Sequence, residues 1–199
     1  MYEINASLSG DILELDGLID ILFLNGAPLP GATPPVQPRN ALYRNEGHWK
    51  FTDVTTKTGL DDTAYHLGVC VGDYDNDGHL DIFLNNFGPN ILYLNNGDST
   101  FTDVTHETGL GTGQEVGAGA CFLDADGDGD LDLFIAQYVG FTFDKHHISQ
   151  MNGFPAYVGP LNYPPTTNAF YRNNGNGTFT DVSRESGIGL LKGAGMGVI

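Results

Sequence analysis

The chain has 199 residues, 40% hydrophobic and 11% aromatic, enough to bury a sizeable core in one domain or two. Eight Lys+Arg stand against 25 Asp+Glu, for a net charge of −17; no basic patch can release counterions, so nucleic acid is excluded as a partner. No apolar run reaches the ~20 residues of a transmembrane helix, which argues against membrane insertion, and the opening MYEINASLSG has no basic or apolar region of the signal-peptide kind.

Twenty-eight Gly and ten Pro predict turns and short strands rather than long helices. Taken in order, residues 10–60 form a first unit, with an apolar strand at 19–24 and a hairpin at 42–60. A second unit spans 66–110: a Gly-rich strand near 68–71, an acidic loop, a buried strand at 80–84 and a hairpin at 92–110. The third, 117–188, repeats this order, with strands near 119–123 and 131–136, a long insertion at 140–167 and a hairpin at 170–188. Residues 193–199 match the Gly-rich strand again and read as the start of a further blade.

The three hairpin segments align without gaps. Tyr43, Tyr93 and Tyr171 each precede a Phe by eight positions (Phe51, Phe101, Phe179), and Gly59, Gly109 and Gly187 follow eight later. Asn-x-Gly between Tyr and Phe is a turn signal that tolerates positive φ. The uniformly apolar strands before the hairpins suit burial on both faces, and the Gly-rich strands suit a crowded centre. Four antiparallel strands repeated every 50 or so residues predict an all-β fold, a β-propeller with about three four-stranded blades present, rather than a solenoid or sandwich. In such a blade the first and third turns share one face and the connections share the other. The connections vary: 23 positions from Asp20 to Tyr43, 12 from Asp81 to Tyr93 and 39 from Asp132 to Tyr171. Long variable loops carry recognition more often than scaffolding.

The acidic loops are Asp73-Tyr74-Asp75-Asn76-Asp77-Gly78-His79-Leu80-Asp81 and Asp124-Ala125-Asp126-Gly127-Asp128-Gly129-Asp130-Leu131-Asp132. Each is a copy of D-x-D-x-D-G-x-x-D. The first, third, fifth and ninth side chains can surround one hard cation: Asp73, Asp75, Asp77 and Asp81, then Asp124, Asp126, Asp128 and Asp132. The backbone carbonyls of His79 and Asp130 would add a ligand to each. All-oxygen donors on a flexible loop favour Ca²⁺ over Zn²⁺, Cu²⁺ or Mg²⁺. A worn third copy holds Glu14, Asp16 and Asp20, with Ile12 in place of the first Asp, which predicts a weak or absent site. No Glu stands at position twelve, so these are not EF-hands.

Other features read as structural. Cys70 and Cys121 occupy equivalent repeat positions and are expected to pack as small hydrophobes without a disulfide. Asp53, Asp103 and Asp181 recur in F-T-D-V and are expected to support a turn or strand. His146-His147 reads as surface, and Trp49 and the Tyr/Pro-rich stretch 154–165 are expected to form a packed Ω-type loop, the alternative being an exposed aromatic contact. No catalytic triad elbow or phosphate loop is present.

These loops, with L-Y-x-N-x-G and F-T-D-V-T-x-x-[ST]-G-[LI], resemble FG-GAP/VCBS repeats, and more closely those of the cartilage acidic protein/UnbV-type family. The resemblance implies a calcium-binding propeller akin to integrin α heads, extracellular, on the cell surface or periplasmic, with this chain a fragment of a longer propeller. The expected function is non-enzymatic adhesion or recognition, with a protein or glycan ligand on the face opposite the calcium loops. The alternative is a calcium-dependent carbohydrate-active enzyme, a lyase or hydrolase. A homodimer could complete the ring through the terminal strand.

Overall fold

A computed structural model describes residues 2–4, 18–111, 113, 115–146 and 148–196. Strands β1 (Tyr2–Ile4), β2 (Asp20–Phe23), β3 (Ala41–Asn45) and β4 (Phe51–Asp53) form one antiparallel sheet in chain order. Strands β5 (Tyr65–Gly72), β6 (Asp81–Phe87), β7 (Ile91–Asn95) and β8 (Phe101–Asp103) form the second. The third is built from β9 (Gly117–Leu123), β10 (Asp132–Gln137), β14 (Ala169–Asn173) and β15 (Phe179–Asp181). Its insertion carries a hairpin of β11 (Ile148–Met151) and β12 (Phe154–Tyr157), then β13 (Thr166–Thr167), which pairs with β16 (Lys192–Gly193). These are three up-and-down blades of a propeller, as the repeat predicts. The strand Tyr2–Ile4 lies ahead of residue 10, where the sequence places the start of the first unit.

Alternating side chains stack the blades. Ile82, Leu84 and Tyr93 of the second sheet meet Leu22, Leu42 and Leu60 of the first. Phe83 and Leu92, pointing the other way, meet Leu133, Ile135 and Phe179 of the third. Each such fully buried side chain contributes about 1.5–3 kcal/mol. The uniformly apolar second strands of the blades behave differently by position. β6 is buried along nearly its whole length, while β2 alternates buried and half-buried. Only the middle sheet has neighbours on both faces among the described residues.

The Gly-rich strands allow close approach, as expected. Asn85 of β6, fully buried, reaches across to donate to the Gly119 carbonyl at 2.9 Å. A Cβ on Gly117 would lie 1.6 Å from Asn85 Oδ1, so only Gly fits there. Cys70 and Cys121 are free thiols, both pushed up by burial.

The last strand of each blade is shorter than F-T-D-V-T suggests. It ends after three residues because the next hydroxyl takes over the ladder. Thr55, Thr105 and Ser183 accept from the N–H of Leu42, Leu92 and Phe170 at 2.8–2.9 Å. Asp53, Asp103 and Asp181 in turn accept the N–H of those residues at 2.8–3.0 Å. This confirms the structural role of the three Asp. In the first two blades one-turn helices follow, α1 (Thr55–Thr58) and α2 (Thr105–Thr108), each closed by a left-handed Gly.

The expectation of buried aromatics fails at two places. Trp49 is 94% exposed at a hairpin tip, and Tyr157 is 85% and Leu161 98% exposed. The stretch 154–165 is not a packed Ω-loop, because its first residues pair with β11 and project as a hairpin. The aromatics that do pack come from the root of the insertion: Phe141 and Phe143 lie 5.6 and 5.3 Å from Phe87. His146 is exposed beside Phe141 and Tyr157, and His147 falls outside the described residues.

Candidate metal centres

Both acidic loops lie between the first and second strands of their blades. In each, the first Asp organises the turn. Asp73 accepts from the N–H of Asp77 at 3.1 Å and of Gly78 at 3.0 Å. Asp124 accepts from Gly127 at 2.8 Å and Gly129 at 3.2 Å. The fourth and sixth positions are left-handed: Asn76 (φ 61) and Gly78 (φ 94), then Gly127 (φ 79) and Gly129 (φ 92). This coils the backbone around a point towards which alternate side chains turn.

Carboxylate oxygens of Asp73, Asp75 and Asp81 lie within 4.8 Å of one another, as do those of Asp124, Asp126 and Asp128. Each group can hold a metal ion. Asp77 and Asp132 fall outside these groups. Asp77 accepts from the His79 N–H at 2.8 Å, as Asp128 does from Asp130 at 2.9 Å, and Asp132 accepts from two backbone donors, as Asp81 does, so these bonds do not set the members of the two groups apart. Glu14 and Asp16 of the worn loop lie outside the described residues.

The ninth Asp joins each loop to the rest of its blade. Asp81, fully buried, accepts from the N–H of Tyr74 at 3.1 Å and of Asn95 at 2.8 Å. Asp132 accepts from Ala125 and Asn173 at 3.2 and 2.9 Å. Asp20 likewise accepts from the Asn45 N–H at 2.7 Å. Burial pushes the Asp81 carboxyl up to about 7, with Asp75 and Asp77 adding repulsion against the two N–H bonds that favour its charge. Burial and the neighbouring Asp77 also raise Asp75. A bound cation would offset both effects.

Sequence reasoning treated the Asn of L-Y-x-N only as a turn residue. Asn45, Asn95 and Asn173 each accept the N–H of the Gly two places on, and each donates to the carbonyl just before the ninth Asp. Asn173 also donates to the Tyr74 carbonyl at 2.8 Å, tying the first loop to the next blade. A second tie runs from Asn76 to Asp130 Oδ1 at 2.7 Å. The invariance of this Asn in all three repeats was the available signal. The seventh loop residue rests on the Gly of the same turn. A Cβ on Gly97 would sit 2.6 Å from His79 Nε2, and one on Gly175 2.7 Å from Asp130 Oδ2. The acidic loops and Asn-x-Gly turns therefore share one face, as the strand order predicts.

Three stacked antiparallel blades with coiled acidic loops on one face define a repeat-built β-propeller. A profile of the FG-GAP-like repeat matches residues 13–84 and again 73–135. The chain belongs to that family. It is also similar to cartilage acidic protein 1 of Xenopus tropicalis, 40% identical over 53 residues, 26% of this chain; the match spans 8% of that protein's length.

Proposed function

We propose that the two acidic loops bind Ca²⁺ and that the blades so stiffened form a non-enzymatic recognition module outside the cytoplasm. The observation that carries this is the pair of three-carboxylate groups, each within 4.8 Å, on equivalent loops of adjacent blades. Their donors are all hard oxygens on a loop without rigid octahedral geometry, which favours Ca²⁺ over Mg²⁺. In this reading Asp73, Asp75, Asp77 and Asp81, with the His79 carbonyl, hold one ion. Asp124, Asp126, Asp128 and Asp132, with the Asp130 carbonyl, hold the other. Ion binding turns four mutually repelling carboxylates into a staple between strands. The opposite face, with its long connections, is left to meet a protein or glycan. Similarity to a protein named for cartilage, and the integrin-like character of FG-GAP repeats, support an extracellular setting.

A thermal melt in EGTA, in Mg²⁺ and in Ca²⁺ tests this. An ion that binds only the folded form adds about 2.7 kcal/mol per site at a hundred times Kd. A rise with Ca²⁺ alone, lost stepwise in Asp75→Ala and Asp126→Ala, is expected. Equal melts in all three conditions would overturn the proposal.

A further inference from the structure

The hairpin of β11 and β12 stands away from the blades. All four residues of β11 are exposed, and Ile148, Met151, Phe154 and Tyr157 are between 64% and 85% exposed. A two-stranded hairpin on its own is marginally stable at best in water; a third strand or a covering surface makes such a unit persist. Among the described residues no further strand pairs with either edge.

The two edges differ. Gln150 lies opposite Pro155, and a two-residue Asn152-Gly153 turn, with φ of 51° and 82°, joins the strands. Pro155 has no N–H, so the Gln150–Pro155 pair exchanges no backbone bonds, and the pairs on either side, Met151–Phe154 and Ser149–Ala156, carry the ladder. The N–H and C=O groups of Ile148 and Gln150 therefore point outward from β11. On the other edge, Pro155 takes a donor out of the middle of β12, which blunts that strand. β11 has no Pro and no charge, and its outward groups form an open template.

Charge selects what pairs with it. Residues 148–171 hold no Asp, Glu, Lys, Arg or His, in a chain of net charge −17. A basic segment is drawn to the carboxylates elsewhere, and an acidic one is repelled. An uncharged strand with apolar side chains fits, and β11 is itself such a strand. When two β11 strands pair antiparallel about a two-fold axis through Ser149, Ile148 of each copy lies opposite Gln150 of the other, and the outward groups of both are met. The result is a four-stranded sheet in which Ile148 and Tyr157 of one copy line up with Gln150 and Pro155 of the second. The hairpins run in opposite directions. Their acidic bodies are held apart by about 13 Å of strand, more than the Debye length of about 8 Å at physiological salt.

We infer that β11 is a self-association edge, through which two copies of this chain pair into a weak two-fold dimer. The inference concerns the hairpin alone and does not depend on the acidic loops binding calcium.

Sedimentation equilibrium of the whole chain, with calcium present, tests this. A contact this small has a dissociation constant of about 10 µM to 1 mM, so the mass should climb towards that of two chains across that range. Association should strengthen as salt is raised from low ionic strength, because screening relieves the repulsion between the bodies. Gln150→Pro leaves the bonds to β12 untouched but removes two backbone bonds across the axis, and should weaken association by about tenfold or more. Ser149→Cys places two thiols on the axis, at a Cα separation of about 4.5 Å that a disulfide can span. Mild oxidation should then give a covalent dimer that the unchanged chain does not form. A chain that stays monomeric at every concentration, a dimer equally tight in Gln150→Pro, or the absence of a cross-link in Ser149→Cys would overturn the inference.

Discussion

Asn173 offers the sharpest test of how the blades are joined. Its amide is almost wholly buried and makes three bonds: to the carbonyls of Tyr74 and Leu131 at 2.8 and 3.1 Å, and from the Gly175 N–H at 3.0 Å. The first crosses from the third blade to the acidic loop of the second. Each bond has a net worth of about 1 kcal/mol, so Asn173→Ala should cost about 3 kcal/mol. In a domain of this size that lowers Tm by about 6–12 °C. Asn173→Asp is the informative partner. It keeps the shape and the acceptor for Gly175, but turns an oxygen towards two carbonyls, so it should cost at least as much as Ala. The assay is urea unfolding with calcium removed, reading the midpoint at constant slope. A loss below about 1 kcal/mol for Ala, or a neutral Asp variant, would refute the reasoning, since filling the space would then matter more than pairing the carbonyls.

Gly117→Ala places a methyl on Asn85 and should cost about 1–3 kcal/mol by overpacking; in a double-mutant cycle, Asn85→Ala should recover part of that loss, and strict additivity would exclude the clash. Asn76→Gly, which copies the residue at the same position of the second loop, removes the Asp130 tie without backbone strain; stepwise Ca²⁺ titration should show the second site weakened about fivefold, and unchanged constants would show the loops to be independent. The Asp81 carboxyl is raised by burial from an unfolded value near 4 to about 7, so the folded state holds an extra proton between those values and stability falls as pH rises through that window. Calcium-free protein should therefore be more stable at pH 5.5 than at pH 8 by about 2 kcal/mol, with the difference reduced in Asp81→Asn; a slope identical in the two proteins would rule Asp81 out.

Much of the candidate site was legible because its determinants are local. A nine-residue loop with acids at alternate positions and left-handed residues at the fourth and sixth can coil around a cation without help from distant chain. The blade was legible for the same reason, as gap-free repetition of F-T-D-V and Asn-x-Gly exposed a unit that must stack to bury its apolar faces. The one-turn helices were missed because a Thr hydroxyl replaces a strand bond, which leaves no trace in hydrophobic patterning. The insertion was misjudged because an aromatic, Pro-rich composition does not say which side chains reach a neighbour. Phe141 and Phe143 do, whereas Tyr157 and Leu161 project into solvent.

Read alone, then, the residue order set the repeat, the strand order within a blade, the face that carries the acidic loops and the oxygen chemistry of those loops. Each of these depends on neighbours within a few dozen residues. Contacts between distant segments depended on the packed molecule: the ties from Asn76 and Asn173, the contact of Asn85 with Gly117, and the pairing of β13 with β16. The residues in these contacts lie between 25 and 99 positions apart. Sheet twist and stacking bring them together, and no local pattern encodes that distance.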